Sequence, residues 1–175
     1  MKTIKEEVYD LIKSRNPRLA RVLKECSVYQ YIDMPYSELF EKHGKNMSIE
    51  AISCMMADVF VNDERVTNNM AMRTELFNAR AILKTDFGFI VADALGIGRN
   101  KAQYFVDQAL IAGYFIRPPN TLDNNAKFIR PATITNDELH RMYVRICNVN
   151  GTEITKEGFA IFAGKKTEDE DYIGE

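Results

Sequence analysis

A mainly α-helical chain with one small β-hairpin is the fold class this sequence predicts, and three features make the prediction. Apolar residues recur at three- and four-residue steps through the first 83 positions. A Gly-x-Gly turn in "ALGIGRNKAQYFVDQALIAGYFIRP", residues 94–118, separates two stretches of helical length. Two short apolar runs, "YFIRP" and "KFIRP", then flank a polar loop.

The elements follow in order. In "TIKEEVYDLIKS", Thr3 is placed to cap, Glu6 and Glu7 fall in the first turn, and Ile4, Val8, Leu11 and Ile12 share one face. Pro17 restarts a helix with Leu19, Val22 and Leu23 inward. "SVYQYIDMPY", residues 27–36, is aromatic and β-branched and reads as an extended connector, and a short helix over "YSELFEKHG" ends at Gly44. Ser48 caps a central core helix carrying Ile49, Ile52, Met56, Val59 and Phe60, which Asn62 and Asp63 stop. Met47, Met55, Met56, Met70 and Met72 are expected to fill gaps in the core. One further helix is expected from Thr67 to Leu83. "DFGFIVADALG" and "KAQYFVDQALIAG" form the next pair, and "TNDELHRMYVRIC" opens with a capping box of Thr135 and Glu138 and turns Leu139, Met142, Tyr143 and Ile146 to one side.

The 175 residues, 46% of them apolar, suffice for a real core. The chain has neither a long apolar run nor a secretory leader, so a soluble, cytoplasmic protein is expected. Cys26, Cys54 and Cys147 are odd in number and lie in apolar helical stretches, which favours reduced core thiols over disulfides. His43 and His140 have no second ligand at a zinc-type spacing, so neither metal nor cofactor is expected. No nucleophile elbow or paired catalytic carboxylates stand out, and the expectation is a protein that is not an enzyme. The net charge of −2 hides an uneven distribution: residues 146–175 hold 3 basic against 7 acidic side chains, and residues 84–145 hold 8 against 6. The acidic "KKTEDEDYIGE" therefore reads as a solvated tail.

The Gly-x-Gly turn admits two readings. A phosphate loop needs glycine before the lysine and a hydroxyl after it, but here Asn100 precedes Lys101 and Ala102 follows. A dinucleotide fingerprint needs glycine where Lys101 stands, and Ala92, Asp93 and Ala94 lead into the turn as helix rather than strand. A helix-turn-helix explains more positions. Ala92 is small enough for a close helix crossing, Gly96 suits a left-handed turn, and Leu95 and Ile97 anchor its flanks. Ala102, Phe105, Val106, Ala109 and Leu110 form the inward face of the second helix, leaving Arg99, Asn100, Gln103, Tyr104, Asp107 and Gln108 outward. Arginine suits guanine edges, and asparagine or glutamine suits adenine.

On these residues, "FIVADALGIGRNKAQYFVDQALIAGYFIRP" resembles the winged helix-turn-helix superfamily of DNA-binding domains, over residues 84–147. The small Ala92, the turn "LGIG" and the exit "LIAGYFI" carry the likeness. It implies a recognition helix over about 99–112 and a wing over about 114–131, with strands at Tyr114–Arg117 and Lys127–Arg130 and "PNTLDNNA" at the tip. It also implies that Arg99, Asn100 and Gln103, with Tyr104 beside them, face bases and Lys101 a phosphate, and that Arg117, Asn124, Asn125, Lys127 and Arg130 meet the backbone or minor groove. Against this, Arg117 and Arg130 also fit a solvated cross-strand pair, and Pro118, Pro119 and Pro131 also fit guards of a sheet edge.

The chain thus divides into a helical region 1–83 for dimerisation or partner binding, the winged unit 84–147 and an extension 148–175, with no linker to separate the first two. Double-stranded DNA is the expected partner of a transcriptional or replication-associated regulator. The small basic excess keeps open a protein-docking module, an adaptor or inhibitor, as the alternative.

Overall fold

The computed structural model describes residues 1, 3–26, 35–118 and 127–164. The chain is mainly α-helical with a small antiparallel sheet, the fold class expected. The connector read at 27–36 lies outside the described residues except for Pro35 and Tyr36, as do the whole of the wing tip "PNTLDNNA" and the whole of the acidic "KKTEDEDYIGE". No helix among the described residues is long and apolar enough to cross a membrane.

Local signals set most helix starts. Helix α1 (Ile4–Arg15) opens with a capping box in which the Glu6 N–H donates to Thr3 Oγ1 and the Thr3 N–H to Glu6. Helix α2 (Pro17–Glu25) has Pro17 in its first turn and Asn16 as its cap. Helix α3 (Tyr36–His43) runs into a 3₁₀ turn, Gly44–Asn46, so Gly44 ends the α-helix without a left-handed residue. The Ala51 N–H donates to Ser48 Oγ at the start of α4 (Ile49–Asn62). The single helix expected over 67–83 is instead α5 (Glu64–Met72), α6 (Thr74–Ala79) and strand β1 (Ile82–Leu83), broken where Arg73 adopts an extended backbone. Helices α7 (Lys84–Leu95) and α8 (Arg99–Ala112), strands β2 (Phe115–Ile116) and β3 (Phe128–Pro131), and helices α9 (Asn136–Asn150) and α10 (Lys156–Phe162) complete the chain.

Two compact units emerge, Met1–Val59 with Gly88–Tyr114 and Phe60–Phe87 with Phe115–Glu175; the division runs within α4 and α7 rather than at residue 83. In the first unit, Leu23, Leu39, Met55, Met56, Leu95 and Val106 are buried. Asp58 is a buried carboxylate on α4 that accepts hydrogen bonds from Asn16 Nδ2 and from the Tyr36 hydroxyl. Such a charge is tolerated only with hydrogen-bonding partners, so this group ties the α1–α2 junction and the start of α3 to α4.

The second unit holds the sheet, in the order β1-β3-β2, with Ile82 opposite Ile129 and Phe115 opposite Pro131. Phe60, Phe87 and Phe115 form a buried aromatic cluster with centroids 5.4–6.4 Å apart. Tyr143 on α9 packs against Phe159 and Phe162 of α10, and the Thr135–Glu138 capping box opens α9 as expected. Of the methionines, Met55, Met56 and Met70 are core, but Met47 is half-buried and Met72 is exposed, so the gap-filling role does not extend to these two. All three cysteines are free thiols, Cys147 buried and the other two half-buried.

Candidate nucleic-acid interface

The turn between α7 and α8 is built as its glycines require. Gly96 has φ +68°, the left-handed region, and the Ile97 N–H reaches back to the Ala92 carbonyl at 2.9 Å, closing α7 in a Schellman arrangement. At the far end Gly113, φ +84°, repeats the device: the Tyr114 N–H donates to the Ala109 carbonyl, and the chain leaves α8 for β2. Of the inward face that the periodicity predicts, Ala102, Val106 and Ala109 are buried and Phe105 and Leu110 half-buried, and the small Ala92 of α7 is buried as well.

The start of α8 departs from the other capped helices. Its cap is Gly98, which supplies no side-chain acceptor, and its first turn holds no acidic residue. By contrast, α1, α9 and α10 each have a threonine cap and at least one carboxylate in the first turn. Exposed Arg99, Asn100 and Lys101 occupy this turn of α8. Two cations at the positive end of a helix dipole are locally unfavourable, by about 0.3–1 kcal/mol each, unless an anion joins them. Arg99 lies over the Phe89 ring, 4.5 Å from its centroid, and the Lys101 ammonium lies 5.4 Å from the Phe40 centroid. Both cations are thus held by aromatic faces of their own unit.

Gln103 does not take the outward position its spacing predicts. It is half-buried and folds over the α7 backbone at Gly88, where a Cβ would meet its carboxamide. The missing side chain at Gly88 opens the slot it fills. Tyr104 is exposed, and so are Phe89 and Ile111, the last at 79%.

In the second unit the hairpin forms with slightly shifted ends, Phe115–Ile116 and Phe128–Pro131 in place of 114–117 and 127–130. Arg117 and Lys127 are exposed. Arg130 is not the solvated partner of Arg117: it pairs with Ile116 across the ladder and is half-buried, because β3 is the middle strand and its neighbours Phe128 and Ile129 are both core. Pro131 ends β3 opposite Phe115 and is buried. Pro118 is buried, and Pro119, Asn124 and Asn125 lie outside the described residues. Sequence reasoning missed Arg80, which follows α6 with φ +53°, a left-handed position usually given to glycine. Its guanidinium donates to the Phe162 carbonyl at 3.1 Å.

The fold is mainly α-helical with a small antiparallel sheet, and a short turn through Gly96 joins α7 to α8. Comparison with known proteins places it no further: no family model matches the chain, and no curated protein or solved structure does.

Proposed function

We propose that this is a sequence-reading DNA-binding protein, a transcriptional or replication-associated regulator, with α8 as its recognition helix and β2–β3 as its wing. One observation carries the reading: α8 starts from a left-handed turn with no side-chain cap and no carboxylate, and exposes Arg99, Asn100 and Lys101 there. Those donors suit base edges and phosphates at the end of a helix where major-groove readers make their contacts. A hairpin follows α8 directly, with exposed Arg117 and Lys127 beside its strands for backbone contacts.

Fluorescence anisotropy against mixed genomic duplex at low salt tests the proposal. Binding should weaken steeply as salt rises, Arg99→Ala should cost about 1–3 kcal/mol at one base step, and Lys127→Ala should weaken all sequences alike. No salt-sensitive binding at micromolar protein refutes it.

A separate observation favours a second reading, a protein-docking module. Asn100, Tyr104 and Ile111 are spaced along one line of α8, and the exposed Tyr104 and Ile111, with Phe89 on α7, offer apolar surface that base reading does not use. A partner retained from nuclease-treated lysate and released by Ile111→Glu supports this reading over the first.

A further inference from the structure

A cavity of about 380 Å³ opens into the second unit, bounded by α5, α6, α9, α10 and the loop that joins the last two. That is more than twice the roughly 150 Å³ that takes a benzene ring, and it falls within the range of small-molecule sites, about 300–1,000 Å³. Of its lining, Met70, Ile146 and Cys147 are buried, Phe77 is half-buried and Ile161 is 58% exposed. Apolar surface thus runs continuously from the interior out to water, and an apolar body gains by covering it.

The polar groups of the lining are few, and they are arranged by the loop over 151–155. Three hydrogen bonds tie this loop to α9: the Thr152 N–H donates to the Cys147 carbonyl at 3.0 Å, the Thr155 N–H to the Tyr143 hydroxyl at 3.2 Å, and the Cys147 thiol weakly to the Glu153 carbonyl at 3.9 Å. The backbone of Glu153 is therefore held beside the cavity. Its carboxylate is the one charged group among the described lining residues, is exposed, and enters no ion pair among the described residues. Such a group repels an anion and attracts a cation, and the rings of Phe77 and Tyr143 in the same lining offer π faces to an ammonium.

We propose that this cavity binds a small organic amine, an apolar body carrying one ammonium group. The body lies among Met70, Phe77, Ile146 and Ile161, and the ammonium meets Glu153. A carboxylic acid with the same body is disfavoured by charge, whereas a neutral analogue loses only the ion pair. The site uses neither α8 nor the hairpin, so it stands independently of the DNA-binding reading.

The test titrates phenethylamine into full-length protein carrying ¹³C-methyl methionine and isoleucine, with sodium chloride at matched ionic strength as control. The Met70 and Ile146 methyl signals should shift saturably, with half-saturation on the order of millimolar, and should show nuclear Overhauser contacts to the phenyl ring. The neutral analogue 2-phenylethanol should bind about two- to fivefold more weakly, the size of an exposed ion pair, and 3-phenylpropionate more weakly still. Glu153→Gln changes an exposed side chain and should leave the fold intact. It should lower the affinity for phenethylamine to that for 2-phenylethanol, with the latter unchanged. No saturable shift of the two methyl signals, no contact from them to the ring, or 3-phenylpropionate binding as tightly as the amine overturns the site. A preference for the amine that persists in Glu153→Gln overturns the role of the carboxylate. Saturation of the same signals by N-acetyl-lysinamide at lower concentration than phenethylamine assigns the cavity to a lysine side chain of a protein partner and overturns the small-molecule ligand.

Discussion

Replacing Gly158 with alanine tests the packing of the second unit at a single atom. Gly158 sits in the first turn of α10, and a Cβ there falls on the Tyr143 hydroxyl oxygen, 3.0 Å from Tyr143 Cζ and 2.9 Å from Thr155 Oγ1. The tyrosine is 4% exposed and in contact with the rings of Phe159 and Phe162, so moving its hydroxyl disturbs that packing. Overpacking of this kind costs about 1–3 kcal/mol. Displacing the hydroxyl also breaks the hydrogen bond it accepts from the Thr155 N–H at 3.2 Å, about 1 kcal/mol. The helix preference of alanine over glycine returns up to about 1 kcal/mol. The expected net loss is about 2 kcal/mol, read by urea denaturation with far-UV circular dichroism. Tyr143→Phe alone should cost about 1 kcal/mol, and in that background Gly158→Ala should cost under about 1 kcal/mol, because the obstructing oxygen is gone. A Gly158→Ala protein as stable as the parent, or a double variant whose losses simply add, refutes the reasoning.

Tyr36→Phe should destabilise by about 1.5–3 kcal/mol in the same assay, since the buried Asp58 carboxylate loses its phenol donor. The Tyr36 pKa is raised well above the ordinary phenol value by burial first and by Asp58 second, and that of Tyr143 is raised mainly by burial. Folding therefore favours the neutral phenols, a stabilisation fully present below about pH 10 and lost progressively as the pH rises from there through the raised folded-state values. The alkaline decline of stability should be shallower in Tyr36→Phe than in the parent, by up to about 1.4 kcal/mol per pH unit. Gly113→Ala meets open space but must hold φ +84°, so a loss of about 1 kcal/mol is expected, smaller in Gly113→Asn, by thermal melting.

What could be read from the sequence was local. Thr3, Pro17, Ser48 and Thr135 start helices through hydrogen bonds or ring geometry within four residues, and Gly96 and Gly113 mark the two left-handed turns around α8. What escaped depends on distant partners. Strand β1 has two residues and exists because it pairs with β3, and no glycine or proline announces the breaks at Arg73 and Arg80. Outward spacing placed Gln103 in solvent, but the empty position at Gly88 draws it onto α7. Arg130 fitted a solvated pair with Arg117 across the hairpin, but the register sets it opposite Ile116 and it is half-buried. Arg99, Asn100 and Lys101 were legible as an exposed group because they depend only on the turn before them.

The strand order also constrains how the molecule is made. The middle strand β3 is the last of the three to be synthesised, so Ile82 has no partner until Ile129 has emerged, and α7 and α8 lie between them in the chain. Closing so long a loop is entropically slow, whereas the two helices need only local contacts. On a ribosome α7 and α8 can thus form while β1 is still an open edge, and the sheet closes only when β3 inserts between its neighbours.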